Sequence, residues 1–189
     1  MTIDVGTGDG RAMVRAASAE PTTLCIGLDA NAAAMAEASR RSARAARRGG
    51  LPNALFVLAA AEAPPTELLG LADLVTVAFP WGSLLRGCLG ADPAVASGVA
   101  GLVARRGRLE LLLAPADRDG LSSLPTDAES VIAAAATTFA ELGFRLEEGR
   151  RASAAEIAAS GSSWAKRLLH GGAKGTRAVA LVRLRESRR

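Results

Sequence analysis

A run of seven residues, Asp-Val-Gly-Thr-Gly-Asp-Gly at 4–10, follows a short β-prone stretch from Met1 to Val5 and leads into a helix-like segment starting at Arg11. No other feature restricts the fold as much. A strand that breaks into a glycine turn and then a helix brings bare backbone close to a ligand, because glycine has no Cβ to obstruct it. A second apolar run, Thr23 to Leu28, closes on Asp29, nineteen residues beyond Gly10. An acidic side chain at that point can hydrogen-bond a ribose diol. Together the two features specify an α/β sheet that holds a nucleoside-bearing cofactor.

The dinucleotide fingerprint is Gly-x-Gly-x-x-Gly, with the third glycine packed against the strand and the helix N-terminus facing a pyrophosphate. Here the spacing is Gly6-Thr7-Gly8-Asp9-Gly10, and Arg11 stands at the third-glycine position. Asp9 adds a carboxylate where a pyrophosphate needs positive potential. Acidic residues better suit a cofactor carrying a sulfonium and an amino group. The loop therefore resembles motif I of S-adenosylmethionine-dependent methyltransferases, although a glycine turn in any α/β protein can carry the same string.

Beyond the loop, strand-like and helix-like runs alternate, which predicts a mostly parallel sheet with helices on both faces. Strands are predicted near 1–5, 23–29, 55–60, 72–79, 108–115, 144–149 and 176–186. Helices are predicted near 11–19, 31–48, 82–89, 92–105 and 126–142, with shorter ones at 153–158 and 164–170. Asn31 reads as the N-cap of the first long helix and Gly49 as its C-terminal stop. Pro64-Pro65 and the stretch from Leu121 to Pro125 read as loops. A length of 189 residues suits one domain with one substantial core. The longest uncharged stretches are too short to cross a bilayer, and the N-terminus lacks a signal-peptide pattern, so a cytoplasmic location is expected. Cys25 and Cys88 read as reduced, buried thiols. The single histidine, His170, excludes a multi-histidine metal site and reads as a surface or interface residue. No metal is expected.

The formal charge is +4, unevenly spread: from Phe144 onward there are 11 Lys and Arg against 4 Asp and Glu. A second concentration, Arg40, Arg41, Arg44, Arg47 and Arg48, falls on the predicted helix, where the spacing puts four of the five largely on one face. Of the 23 basic residues 21 are arginine, which suits a solvated face in a GC-rich coding sequence as well as a phosphate-contacting one. The basic C-terminal third tips the balance to nucleic acid.

Aromatic residues are scarce, with four Phe, two Trp and no Tyr, so each Trp requires a reason. Trp81 follows a predicted strand at the carboxyl end, where open α/β sheets bind ligands. Trp164 lies between Gly161 and a basic segment. Neither has the apolar neighbours of a typical core Trp. Either each covers an edge of the core, or both indoles hold a planar substrate whose phosphates the nearby basic residues grip.

Six segments then carry a resemblance: DVGTGDGR at 4–11, IGLDAN at 26–31, GGLPNALF at 49–56, the AAAE ending at Glu62, FPWGSLLRG at 79–87 and SSWAKRL at 162–168. The sequence resembles the aminoglycoside-resistance 16S ribosomal RNA methyltransferases that modify N1 of the decoding-site adenine at position 1408, the kanamycin–apramycin resistance type. The resemblance spans nearly the whole chain, and the segment containing Trp81 is far more specific than motif I. It implies the class I methyltransferase fold, a Rossmann-like seven-stranded sheet with the last strand antiparallel. It assigns S-adenosylmethionine contacts to Asp4, Gly6, Thr7, Gly8 and Gly10, to Asp29 and Ala30 at the ribose, to Ala61 and Glu62 near the adenine ring, and to Ala78 and Ser83. It implies that Trp81 and Trp164 sandwich the flipped target adenine, with Ser162 close by. The arginine cluster, Lys166, Arg167, Lys174 and Arg177 are assigned to ribosomal RNA in the 30S subunit, with the enzyme a monomer. The resemblance implies a single methyltransferase domain over residues 1–189, expected to lack the family's N-terminal extension.

The chemistry is consistent with that assignment. The lone pair of adenine N1 is already available, so methyl transfer needs alignment more than a general base. The same reasoning fits a guanine N7 target. A methyltransferase for another RNA site or a small molecule, and a cofactor-holding RNA-binding protein with little activity, stay open on the sequence.

Overall fold

The computed structural model describes residues 1–115, 124–170 and 179–187. The strands are β1 (Thr2–Val5), β2 (Cys25–Asp29), β3 (Ala54–Leu58), β4 (Ala72–Ala78), β5 (Val103–Leu113), β6 (Phe144–Arg151) and β7 (Ala180–Glu186). They form one sheet in the order β3-β2-β1-β4-β5-β7-β6. The pairings from β3 to β5 are parallel, and β7 runs antiparallel to both β5 and β6. Parallel neighbours need crossover connections, and α1 (Arg11–Ala19), α2 (Ala32–Ser42), α3 (Gly82–Cys88) and α4 (Pro93–Leu102) lie in them, while α5 (Ala128–Glu141) leads from β5 to β6, on the far side of β7. Two shorter helices, α6 (Ala154–Ala159) and α7 (Ser163–His170), precede β7. The sheet matches the expected fold class, with its order reversing beside β1, where ligands bind in open α/β sheets.

Alternation along the strands divides the molecule into layers. Ile3 and Val5, Val75 and Val77, and Leu109, Leu111 and Leu113 all enter the main core, shared with α3, α4 and α5. A two-residue period sends the intervening side chains to the other face. There Leu112 joins Phe79, Ile157, Ala165 and Leu181 beneath α6 and α7, while Met13 and Ala17 of α1 pack on Cys25 and Ala54. Both cysteines are free and buried as expected. Among the described residues no helix is long and apolar enough to cross a membrane.

Three predicted boundaries differ from the structure by more than two residues among the described ones. The helix predicted over 31–48 begins as expected, with the Asn31 side chain accepting from the Ala33 and Ala34 N–H groups, but ends at Ser42. The chain then folds back: the Leu51 N–H donates to the Ser42 carbonyl, and Gly50 lies so close to Arg44 that a Cβ there would stand 1.7 Å from the Arg44 carbonyl oxygen. Gly49, at φ 76°, terminates only a short 3₁₀ turn, Ala46–Arg48. The helix predicted over 92–105 stops at Leu102 because Val103 already starts β5. That strand is longer than its predicted 108–115 span because a register shift carries it through Arg106, which has φ 60°. The Arg106 backbone is clamped on both sides: its N–H donates to Glu186 and its carbonyl accepts from Arg185. The 121–125 loop and the 176–186 strand extend in part beyond the described residues.

Candidate functional site

A cleft of about 270 Å³ opens at the carboxyl ends of β1, β2 and β4, where the glycine loop turns into α1. Gly6, Gly8 and Gly10 adopt φ of 74°, 59° and 69°, which favours glycine at each of them. The three differ in what surrounds them. A Cβ on Gly10 would fall 2.4 Å from Phe56 Cε1 and 2.8 Å from Ala38 Cβ, so Gly10 lets the loop sit on β3 and α2 and does not line the cleft. A Cβ on Gly8 would meet nothing within 4 Å, so the loop leaves space beside its backbone for a ligand.

Asp29, at the end of β2, faces that space. Its Oδ2 accepts from the Gly8 N–H at 2.8 Å and its Oδ1 from the Asn31 N–H at 2.8 Å. Each carboxylate oxygen has a second lone pair, so the side chain can still accept from two hydroxyls. Ala30, Ala61, Glu62, Ala78 and Ser83 line the same cleft, as do Gly6 and Thr7. Twelve of the expected cofactor and base contacts therefore meet in one cavity: these, Gly8, Asp29, Trp81, Ser162 and Trp164.

Asp4 does not join them. Strand alternation turns it from the Ile3–Val5 core face into a groove between α1 and α6, lined also by Thr76, Glu110, Glu156 and Arg183. The Thr76 hydroxyl donates to its Oδ1 at 2.6 Å. Burial pushes the Asp4 carboxyl above the usual carboxylate range, with the Thr76 hydrogen bond acting in the opposite direction.

Both tryptophans stand at the rim. Trp81 is 78% exposed and Trp164 45%, so neither serves as a core plug. A backbone irregularity aims the first: Phe79 adopts φ 54° with its side chain buried and its N–H bonded to the Leu112 carbonyl. A non-glycine residue in this region costs on the order of 1 kcal/mol. The turn lifts the following Pro80 and Trp81 off the end of β4 into the cleft wall. Trp164 lies in the first turn of α7, where the Ser162 hydroxyl accepts from its N–H at 3.2 Å. Ser162 thus acts as an N-cap that fixes the start of the helix.

Several contacts escaped the sequence reading. Leu84 closes the cleft under Gly6, where an added Cβ would lie 2.6 Å from Leu84 Cδ2. Ser163 donates to Asp9 Oδ2 at 3.0 Å, across 154 residues, and nothing local in the sequence signals that pairing.

The arginine cluster is exposed throughout but does not lie on one helix. Arg40 and Arg41 occupy the last turn of α2, where cations favour the helix dipole; Arg44 sits in the fold-back, and Arg47 and Arg48 lie in the 3₁₀ turn. The result is a bent basic edge in place of a straight stripe. Lys166 and Arg167 fall on α7. Lys174 and Arg177 lie outside the described residues.

Comparison with known proteins gives a consistent result. Residues 1–183 match the family described as NpmA, 16S rRNA (adenine(1408)-N(1))-methyltransferase. A protein of that name from Streptoalloteichus hindustanus is 37% identical over 176 residues, covering 89% of this chain and 80% of the relative. One from Escherichia coli is 30% identical over 176 residues, with the same shares covered. Among solved structures, the 16S rRNA methyltransferase KamB superposes with a TM-score of 0.86 at 30% identity, over 99% of this chain and 87% of that one. A tryptophan-to-alanine variant of the Catenulisporales acidiphilia 16S rRNA (adenine(1408)-N(1))-methyltransferase, solved with its cosubstrate SAM, gives 0.85 at 32% identity, over 99% and 85%.

Proposed function

The chain belongs to the 16S rRNA (adenine(1408)-N(1))-methyltransferase family, and from that premise we propose that its cleft transfers a methyl group to N1 of the decoding-site adenine in the assembled 30S subunit. The enzyme is S-adenosylmethionine-dependent, and its substrate is 16S rRNA. The modification gives aminoglycoside resistance. The observation that carries the reading is the meeting of the glycine loop, Asp29 and both exposed tryptophans in one cleft.

When bound, S-adenosylmethionine supplies an electrophilic methyl group on a sulfonium. Asp29 takes the ribose hydroxyls on its two remaining lone pairs, the space beside Gly8 accepts the ligand, and Ala61 with Glu62 borders the adenine end. Trp81 and Trp164 hold the flipped target base between their indole faces. Because N1 already presents its lone pair, the tryptophans contribute alignment, and no residue has to remove a proton first. Two indole faces also favour a purine ring on which positive charge is developing over a neutral one. The exposed arginines of α2 and the 3₁₀ turn meet RNA phosphates and add a salt-dependent contribution to docking. The enzyme acts as a monomer in the cytoplasm.

The test is methyl transfer from labelled S-adenosylmethionine to intact small subunits, followed by reverse transcription across the decoding site. A methyl on N1 blocks the Watson–Crick edge, so a single stop at that adenine is expected. Label without that stop refutes the target, and cofactor binding without label refutes the activity.

A further inference from the structure

We propose that Ser163 is a positioning residue that couples cofactor binding to the placement of Trp164, through its hydrogen bond to Asp9 in the glycine loop. The inference rests on the reading of Trp164 as a base-stacking residue and of Asp29 as the ribose ligand.

The start of α7 is held by α1 and the glycine loop. Ser163 Oγ donates to Asp9 Oδ2 at 3.0 Å. The Arg15 guanidinium donates to the Gly161 carbonyl, and Gly161 itself, at φ 75°, sits so close to α1 that an added Cβ would lie 3.0 Å from Ala12 Cα. Both anchors come from the segment that follows β1. Asp9 is itself fixed in place: its Oδ1 accepts from the Arg11 N–H at 3.2 Å, and its Oδ2 faces Arg11 Nε at 3.4 Å. One residue before Asp9, the Gly8 N–H donates to Asp29 Oδ2. One residue after Ser163 stands Trp164, its N–H held by Ser162.

A continuous chain therefore runs from the ribose carboxylate through Gly8, Asp9 and Ser163 to the indole. Ribose hydroxyls arriving at Asp29 share its carboxylate with the Gly8 N–H, so occupancy of the cleft bears directly on the loop that carries Asp9. Asp9, Ser162 and Ser163 line the cofactor cleft and also a neighbouring cavity of about 350 Å³ between α1 and α2. The bridge is thus the partition between two open spaces. A displacement of the loop that carries Asp9 is passed through this bridge to Ser163 and the adjoining Trp164. By linkage, whatever free energy cofactor binding contributes to ordering Trp164, base binding returns to cofactor affinity.

The test uses the full chain with Trp81→Phe, so that Trp164 is the only indole, and reads its fluorescence during titration with S-adenosylhomocysteine in the absence of RNA. The expected result is a saturable change in the parent and its loss in Ser163→Ala, with the calorimetric affinity for S-adenosylhomocysteine held within about threefold. That retained affinity also shows that the variant is folded. On small subunits Ser163→Ala, made without the Trp81 change, lowers kcat about tenfold and raises the KM for cofactor, because the return coupling from base binding is lost, and Ser163→Thr, which keeps the hydroxyl, restores both. Absence of any cofactor response in the parent, or equal responses in parent and Ser163→Ala, overturns the coupling. Undiminished turnover by Trp164→Ala would instead remove the stacking role, a failure that the fluorescence titration does not share.

Discussion

Replacing Asp29 with alanine removes the carboxylate proposed to hold the ribose and leaves the core intact, because Asp29 is only half-buried. Its oxygens each accept one backbone N–H, from Gly8 and Asn31, and each keeps one lone pair for a ribose hydroxyl. A hydrogen bond to a charged acceptor contributes about 1.5 kcal/mol or more, so losing two costs about 3 kcal/mol of cofactor binding, or about 100-fold in Kd. The backbone bonds are lost as well, but Gly8 lines the open cleft and Asn31 is exposed, so water can replace the carboxylate. Their loss costs about 1 kcal/mol of stability, a fall in Tm of about 2–4 °C. Calorimetric titration with S-adenosylmethionine measures the binding loss directly. A cofactor analogue lacking one ribose hydroxyl supplies the second arm: it should bind the parent more weakly but add little further loss in Asp29→Ala. A Kd for Asp29→Ala within about threefold of the parent refutes the ribose assignment. So does an equal loss for the analogue in both proteins.

Three further outcomes are expected. Trp164→Ala should lower kcat/KM on small subunits by about 10- to 100-fold, since base stacking on an aromatic side chain contributes about 1–3 kcal/mol, while calorimetric cofactor affinity stays within about threefold; equal loss of both contradicts a stacking role. Gly10→Val should reduce Tm by about 6–12 °C, from about 3 kcal/mol of combined backbone strain and overlap, because its Cβ would meet Phe56 at 2.4 Å and Ala38 at 2.8 Å at φ 69°; an unchanged melting curve would mean that the loop does not pack there. Burial holds the Asp4 carboxyl above its ordinary 3.8, so its ionisation opposes folding as pH rises through and beyond that value. Asp4→Asn keeps an acceptor for Thr76, and its Tm relative to the parent should rise as pH climbs above the ordinary carboxylate range; a pH-independent difference would show that Asp4 ionises at no cost.

The fold was legible because its signals are local. β1, the glycine loop and α1 follow from seven residues, and alternating apolar runs placed every strand that the structure contains. The end of α2 was not legible in the same way. Its arginine and alanine composition favours helix through residue 48, and the event that stops it is the return of Gly50 and Leu51 onto Arg44 and Ser42, a contact that no propensity encodes.

The site divides along the same line. Residues that act through backbone or chain position, such as Gly6, Gly8 and Asp29, could be placed by spacing, because strand ends and the turn after them fix where they point. Asp4 shows where spacing is insufficient. It belongs to the motif string, yet the two-residue period of β1, with Ile3 and Val5 committed to the core, requires its side chain to leave on the opposite face, toward Thr76 and away from the cleft. Motif membership and cleft membership are therefore separate properties, one set by the chain and the other by the face of the strand. The same distinction accounts for Ser163, which belongs to no loop motif and reaches the site only because α7 returns to the glycine loop from 154 residues away.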